Sequence, residues 1–466
     1  MKLNGKTCLI CDCESTMRLD GKALARALRL EATPTVHTQL CRAQIESFRA
    51  AATGGEPLLV GCTQEAPLFG ETLDEVADAP PAAFVNIRER AGWSAEGGDA
   101  TPKIAALLAE AALDIPPTPA VTMQSDGLCL VYGRDETAIE AARQLSGRLD
   151  VTVLLRDPGE IVPPQVMDVP IFKGRIAAVG GHLGAFEIVV DGYAPAVVSS
   201  RGALAFEAPR DGAASRCDLI LDLTGDPPLV PAPEKRDGYL RPDPGNPAAV
   251  QRALFNLADM VGEFEKPRYV AYEAGLCAHS RSGKTGCTRC LDTCPASAIR
   301  PDGDVVAIDQ YLCGGCGGCS SVCPTGAASY ALPPVATVLE RLRTLLGAYH
   351  DAGGTAPVLL VHDGRQGEEM IALAARYGRG LPAAVLPFAL NETTQIGFDF
   401  LAAAFAYGAV RVVLLVPPAR RDELSGLASQ VGLAETVLDG LGYGGGGVEV
   451  LVESDPEALE AALYDR

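Results

Sequence analysis

Residues 313–324 read CGGCGGCSSVCP, a run in which Cys313, Cys316, Cys319 and Cys323 are separated by two, two and three residues and followed by Pro324. This is the spacing by which one short loop presents thiolates to a [4Fe-4S] cluster. Thiolates suit iron because they are soft and anionic. Gly314, Gly315, Gly317 and Gly318 let the loop turn sharply and let its N–H groups approach the sulfurs.

A second copy precedes it. Cys287-x2-Cys290-x3-Cys294-Pro295 has the same ending, but Lys284 stands where a leading cysteine belongs. Aligning YVAYEAGLC, ending at Cys277, with VVAIDQYLC, ending at Cys313, puts Val270, Ala271 and Leu276 over Val306, Ala307 and Leu312. The leading cysteine is therefore Cys277, displaced by a seven-residue insertion, because Cys277-x9-Cys287 replaces Cys-x2-Cys. The pair resembles the bacterial two-cluster ferredoxin module, in which the fourth cysteine of each run ligates the other cluster. The resemblance implies one cluster on Cys277, Cys287, Cys290 and Cys323, and a second on Cys313, Cys316, Cys319 and Cys294. Two other readings stay open: paired zinc knuckles, since zinc also takes four cysteines, and a three-iron first cluster with Cys277 as a spectator. The insertion AHSRSGKTG carries Arg281 and Lys284, and either shields the cluster or docks a partner.

The 466 residues suffice for about three domains. With 48% hydrophobic and 21% charged residues, the chain can bury real cores. A net charge of −20 argues against a nucleic-acid partner and favours basic partner surfaces. The N-terminus has no apolar core of signal-peptide length, and no uninterrupted apolar stretch is long enough for a membrane span. A cytoplasmic location is expected, where fifteen cysteines point to metal ligation rather than disulfides.

In the first hundred residues, TCLICDC reads as a buried strand ending in the Cys11-x-Cys13 loop. Cys41 follows a second strand and Cys62 ends a third, PLLVGC, so these cysteines converge on one sheet edge. Cys8, inside the strand, reads as core. CDC at 11–13, Cys41, GCT at 61–63 and NIRERAGW at 86–93 resemble the N-terminal domain of the A-type iron–sulfur subunit of heterodisulfide reductase. Asn86, Ile87, Arg88, Glu89 and Trp93 keep that family's pattern, whereas Ala91 replaces its cysteine. The resemblance implies a third [4Fe-4S] cluster on Cys11, Cys13, Cys41 and Cys62, with buried unligated thiols as the alternative.

After a boundary at IPPTPA (115–120), residues 128–157 have the strand, helix, strand order of a nucleotide-binding half-unit, where the same family carries a flavin-binding, thioredoxin-reductase-like domain. The phosphate chemistry is missing. Gly133-Arg134-Asp135-Glu136-Thr137-Ala138 puts carboxylates where a G-x-G-x-x-G loop would approach a pyrophosphate. Leu155 replaces the acid that would hold ribose hydroxyls, although Asp157 lies close by. FAD is therefore not expected, and the fold reads as a degenerate scaffold. Residues 176–192 read as a β-hairpin, with His182 a solvated turn residue rather than a ligand. Residues 225–247, with seven prolines, read as an extended connector, and PAAVQRALFNLADMVGEF (247–264) as a helix leading to the cysteine module.

Beyond a helix at 335–350, VLLVHD, AAVLPFAL, VRVVLLV and VEVLVES alternate with helical patterns, the signature of a parallel sheet covered on both faces. GFDFLAAAFAYGAVRVVLLV is similar to the small delta subunit of methyl-viologen-reducing hydrogenases. With no cysteine after Cys323, this segment lacks the ligands of that family's [2Fe-2S] cluster and reads as a docking surface. GYGGGG at 442–447 reads as a flexible loop, not a phosphate cradle.

The expected architecture is a multidomain α/β protein. It comprises an N-terminal α/β domain (1–118), a degenerate Rossmann or thioredoxin-reductase-like scaffold (119–246), a helix with an α+β two-cluster ferredoxin module (247–332), and a C-terminal parallel α/β domain (333–466). The expected function is single-electron relay between redox proteins, such as those of a formate dehydrogenase, hydrogenase or reductase complex, with no catalytic residues of its own. The rival readings are a maturation factor for an oxidoreductase such as a molybdenum formate dehydrogenase, and a flavin-containing component of a heterodisulfide-reductase-like enzyme.

Overall fold

The computed structural model describes residues 2–281 and 283–465. The chain divides into two compact units. One joins Met1–Pro117 to Cys316–Arg466, and the other is Thr118–Gly315. Both are mixed α/β.

In the first unit, the parallel strands Lys6–Cys11, Leu58–Gly61 and Ala82–Phe84 lie side by side, with Val36–His37 added parallel to the first. Val385–Leu390, Val358–Asp363, Arg411–Val416 and Val448–Val452 form a second, wholly parallel sheet. Apolar runs such as Arg411–Val416, buried at all but its first residue, are what a sheet covered on both faces requires. The two sheets share one core. Helix Thr101–Ala111 buries Lys103 through Leu108 without a break and packs on helix Val335–Asp351. A helix buried around its circumference needs partners on more than one side, and the C-terminal segment supplies them here. Arg341 of the second helix donates to Glu110 of the first at 2.6 Å.

The second unit is built on a seven-stranded sheet ordered Ala213–Cys217, Phe186–Pro195, Ile171–Gly180, Asp150–Leu155, Leu128–Gly133, Leu219–Asp222 and Tyr239–Leu240. The first three strands pair antiparallel, as the expected hairpin, and the others parallel. Three details differ from expectation. Residues 225–247 are not a free connector: Pro233–Lys235 form a turn of 3-10 helix and Tyr239–Leu240 add a strand to the sheet, burying Lys235, Arg236 and Tyr239. The helix expected over 247–264 stops at Ala258, and Gly262–Pro267 instead pairs antiparallel with Ala120–Ser125. His182 is not simply solvated, because the hairpin turn lays its ring on Tyr311, centroids 4.4 Å apart.

Lys103 is wholly buried, its ammonium donating to Pro382 O at 2.7 Å and Leu381 O at 3.2 Å. Burial pulls its pKa down to about 7, against an opposing pull from Glu96. The unfolded chain keeps the ordinary lysine value of about 10.4. Between these values the unfolded state holds a proton that the folded state has released, so Lys103 makes stability rise with pH above about 7 and adds no pH dependence below it. Lys103→Met should flatten that rise. The check is the difference in urea midpoint between about pH 7 and about pH 8.5, where equal slopes for the two proteins would remove Lys103 as the cause.

Candidate metal centres

Cys11 ends strand Lys6–Cys11, Cys62 follows strand Leu58–Gly61, and Cys41 stands four residues after strand Val36–His37, so parallel strands carry these thiols to one edge of the N-terminal sheet. Cys13 adopts φ +52° and its two successors are also left-handed, which folds the CDC loop back over that edge. All four thiols line one cavity of about 240 Å³, together with Arg88 and Glu89. Burial foremost pushes the Cys41 and Cys62 thiols up. Cys11 adds to this at Cys41, and Cys41 and Cys13 add to it at Cys62, with Arg88 opposing. Arg88 Nη1 donates to Cys13 Sγ at 3.2 Å, and its guanidinium lies 4.2 Å from the centre of the Trp93 ring. Residues 86–93 thus close the cavity. They also tie it to helix Gln366–Tyr377, since Arg90 and Asn86 both donate to Glu368. Cys8 points into the core, as expected.

In the 118–315 unit, the insertion after Cys277 folds back on itself. The His279 carbonyl accepts from Gly286 N at 2.6 Å and Cys287 N at 3.4 Å, and the His279 ring lies 2.8 Å from Cys287 O. The loop is closed at its base, which returns Cys287 to the neighbourhood of Cys277. Tyr272 bonds to Cys277 Sγ and its hydroxyl accepts from Val306 N at 3.2 Å. Burial first, and then the Cys277 and Cys290 thiols, raise the pKa of this phenol to about 12. Cys294 Sγ accepts from Ala298 N at 3.3 Å. The Cys313 thiol is pushed up by burial first, pulled back by the Gly315 N–H, and pushed up again by Cys294, so these two sulfurs face each other electrostatically.

In the other unit, Cys323 Sγ accepts from Ala328 N at 3.4 Å. Burial alone would raise its pKa, but N–H groups of Ala328, Thr325 and Ala327 and the Thr325 hydroxyl outweigh burial and lower it. Gly317, at φ +77°, could carry no side chain: a Cβ there would lie 2.3 Å from Gln395 Cβ. Thr394 Oγ1 donates to Cys316 O at 2.6 Å, fixing the same loop.

A mononuclear zinc site needs its donors within about 2.3 Å of one centre. Among the described residues no group of three or more His, Cys, Asp or Glu side chains is gathered so as to hold a metal ion. A cubane asks for something different, since each thiolate reaches its own iron and the sulfurs stand apart.

The loop after strand Leu128–Gly133 is held by the chain's own charges. Asp135 caps helix Glu136–Leu145, accepting from Thr137 N at 2.9 Å. Arg134 and Arg156, at the ends of adjacent parallel strands, both pair with Asp226. Asp222, fully buried, accepts from the Tyr239 hydroxyl at 2.6 Å and from Thr224. Sequence reasoning placed the carboxylates of the loop but missed Asp226, which the proline-rich composition around it concealed.

Residues 285–327 match a family described as the 4Fe-4S dicluster domain. The match includes Cys287, Cys290, Cys294, Cys313, Cys316, Cys319 and Cys323. A comparison with curated proteins gives no match. The dicluster domain brings [4Fe-4S] chemistry, and with it a role in iron–sulfur electron transfer. No helix among the described residues is long and apolar enough to cross a membrane.

Twelve of the fifteen cysteines are the candidate ligands, and Cys8, Cys129 and Cys217 stand outside that set. Burial pushes the Cys8 and Cys217 thiols up to about 12 and the Cys129 thiol in the same direction. In folded, iron-free protein, iodoacetamide should therefore label Cys13, Cys41 and Cys62 well before those three, because only a thiolate attacks. Peptide mass spectrometry reads the order. Equal labelling of all cysteines would contradict the division.

Proposed function

We propose that this chain is a one-electron relay in which Cys277, Cys287, Cys290 and Cys323 hold one [4Fe-4S] cluster and Cys313, Cys316, Cys319 and Cys294 hold another. Cys11, Cys13, Cys41 and Cys62 hold a third. The observation that carries the reading is the duplicated cysteine run inside a matched 4Fe-4S dicluster domain. Cys277 as the displaced ligand is supported by the closed base of the insertion and by Tyr272, which touches Cys277 and interacts with Cys290. The exchange of fourth cysteines is supported by the electrostatic pairing of Cys313 with Cys294. The third cluster is supported by one cavity lined with four thiols and the cationic Arg88, the donor set and charge that such a cluster needs.

Each cluster, when bound, accepts or gives one electron with little rearrangement. The protein holds the thiolates on short loops, donates N–H groups to their sulfurs and keeps water away. Asp226 between Arg134 and Arg156, and Asp135 on the helix N-terminus, place the chain's own carboxylates where a dinucleotide's phosphates would go, which supports a scaffold without flavin. The partners are other redox proteins, of the kind found in formate dehydrogenase, hydrogenase or reductase complexes. The net charge of −20 favours basic faces on them.

Anaerobic iron and sulfide analysis tests the reading. About eight irons per chain support the two module clusters, and about twelve support the third as well. Colourless or zinc-loaded protein, or no paramagnetic signal after dithionite, would sink it. A flavin absorbance band would favour the flavin-containing reading instead.

A further inference from the structure

Buried lysine and arginine are uncommon unless something negative answers them. Three occur together in the 118–315 unit, all outside the matched dicluster residues: Lys235, Arg236 and Lys266, exposed by 7%, 7% and 5%. Each reaches one of the two cysteine loops in that unit. Lys266, on strand Gly262–Pro267, donates to Tyr311 O at 2.9 Å, two residues before Cys313, and to Asp237 at 2.8 Å. The stem of Lys235 lies against Gly314, where an added Cβ would come 2.6 Å from Lys235 Cβ. Arg236 donates to Gly181 O at 2.6 Å and to Ala296 O at 3.4 Å, two residues after Cys294. Lys266 and Lys235 thus approach the chain just before and just after Cys313, at Tyr311 and at Gly314. Cys277, by contrast, meets the neutral phenol of Tyr272. The folded connector and its neighbouring strand thus bring positive charge to one of the module's two centres.

A cluster on four thiolates is an anion that gains a further negative charge on reduction. Fixed positive charge in a medium of low dielectric stabilises the reduced form more than the oxidised one. We propose that Lys235, Arg236 and Lys266 form a cationic socket that raises the midpoint potential of the cluster on Cys313 and Cys294 above that of the cluster on Cys277, Cys287 and Cys290. The first electron to enter the module therefore rests at the socket. The step is one electron, supplied by a one-electron donor such as dithionite or a reduced iron–sulfur partner. The cluster core passes from its 2+ to its 1+ state, and no covalent bond forms or breaks. These are positioning charges, and the inference rests on the two-cluster reading above.

The test is a potentiometric titration of the full chain, reconstituted anaerobically and followed by electron paramagnetic resonance, in a Cys62→Ser background that removes any signal from the N-terminal cavity. Two one-electron steps are expected. Lys266→Met together with Lys235→Met should lower the upper step by a tenfold or greater change in the reduced-to-oxidised ratio at a given potential, which is about 59 mV for one electron. The lower step should stay in place, and Lys266→Arg should keep the upper step near its original position. Asp237→Asn removes the counter-charge of Lys266 on a half-exposed carboxylate, so it should raise the upper step without disturbing the core. Tyr272→Phe should move only the lower step. Protein with full iron whose upper step ignores these changes, or whose two steps move together, overturns the socket. A Cys62→Ser chain holding fewer than about eight irons overturns instead the two-cluster reading beneath it.

Discussion

Thiolate is a charged ligand, and placing it where water is scarce requires the surroundings to answer its charge. That requirement organises much of this chain. Cys323 is answered by successive backbone N–H groups, Cys294 by the N–H of Ala298, Cys13 by the Arg88 guanidinium, and Cys313 by the Gly315 N–H and two lysines. Peptide dipoles suffice where the loop can curl around the sulfur. Where it cannot, the fold brings in a formal charge from a distant segment, and Arg88 and Lys266 arrive across long sequence separations.

The same requirement governs the end of the parallel strands in the 118–315 unit. Gly133 packs so closely on the following helix that a Cβ there would come 2.5 Å from Ala138 Cβ. That helix's N-terminus is capped by the carboxylate of Asp135, and the arginines at the ends of two adjacent parallel strands converge on Asp226. A third arginine, Arg241, joins through the Asp226 carbonyl, so the charges at this end of the sheet are answered from within the chain.

The sequence made the cysteine spacing, the repeat, the strands of the C-terminal parallel sheet, the three N-terminal strands that lead to cysteines and the hairpin legible, because each is written in local pattern, whereas the short strand Ala82–Phe84 carried no such signal. Cys11, Cys13, Cys41 and Cys62 could be grouped for the same reason, since strand ends of a parallel sheet must meet at one edge. What stayed hidden was tertiary. Seven prolines between 225 and 247 suggested an extended tether, yet Tyr239 and Leu240 find a strand to pair with, and no local rule shows that partner. Nothing local marks Lys235, Arg236 and Lys266 as buried, because their partners come from distant segments. The joining of the chain's first and last segments had one readable sign: PKIAALLAEAAL is apolar on nearly every face, and Lys103 within it is fully buried. Such a helix cannot belong to the outer layer of a small domain.

The shared core of the two end segments has a consequence for how the protein comes into being. Synthesis runs from the first residue onward, so helix Thr101–Ala111 emerges long before helix Val335–Asp351 and the sheet that covers it. Residues 118–315 can collapse before the segment from Cys316 onward is made, whereas helix Thr101–Ala111 keeps apolar surface exposed until helix Val335–Asp351 arrives. The four thiols of the N-terminal cavity spend that interval before residues 86–93 are locked against Glu368. The closure that residues 86–93 provide is therefore completed only after Glu368 has been made.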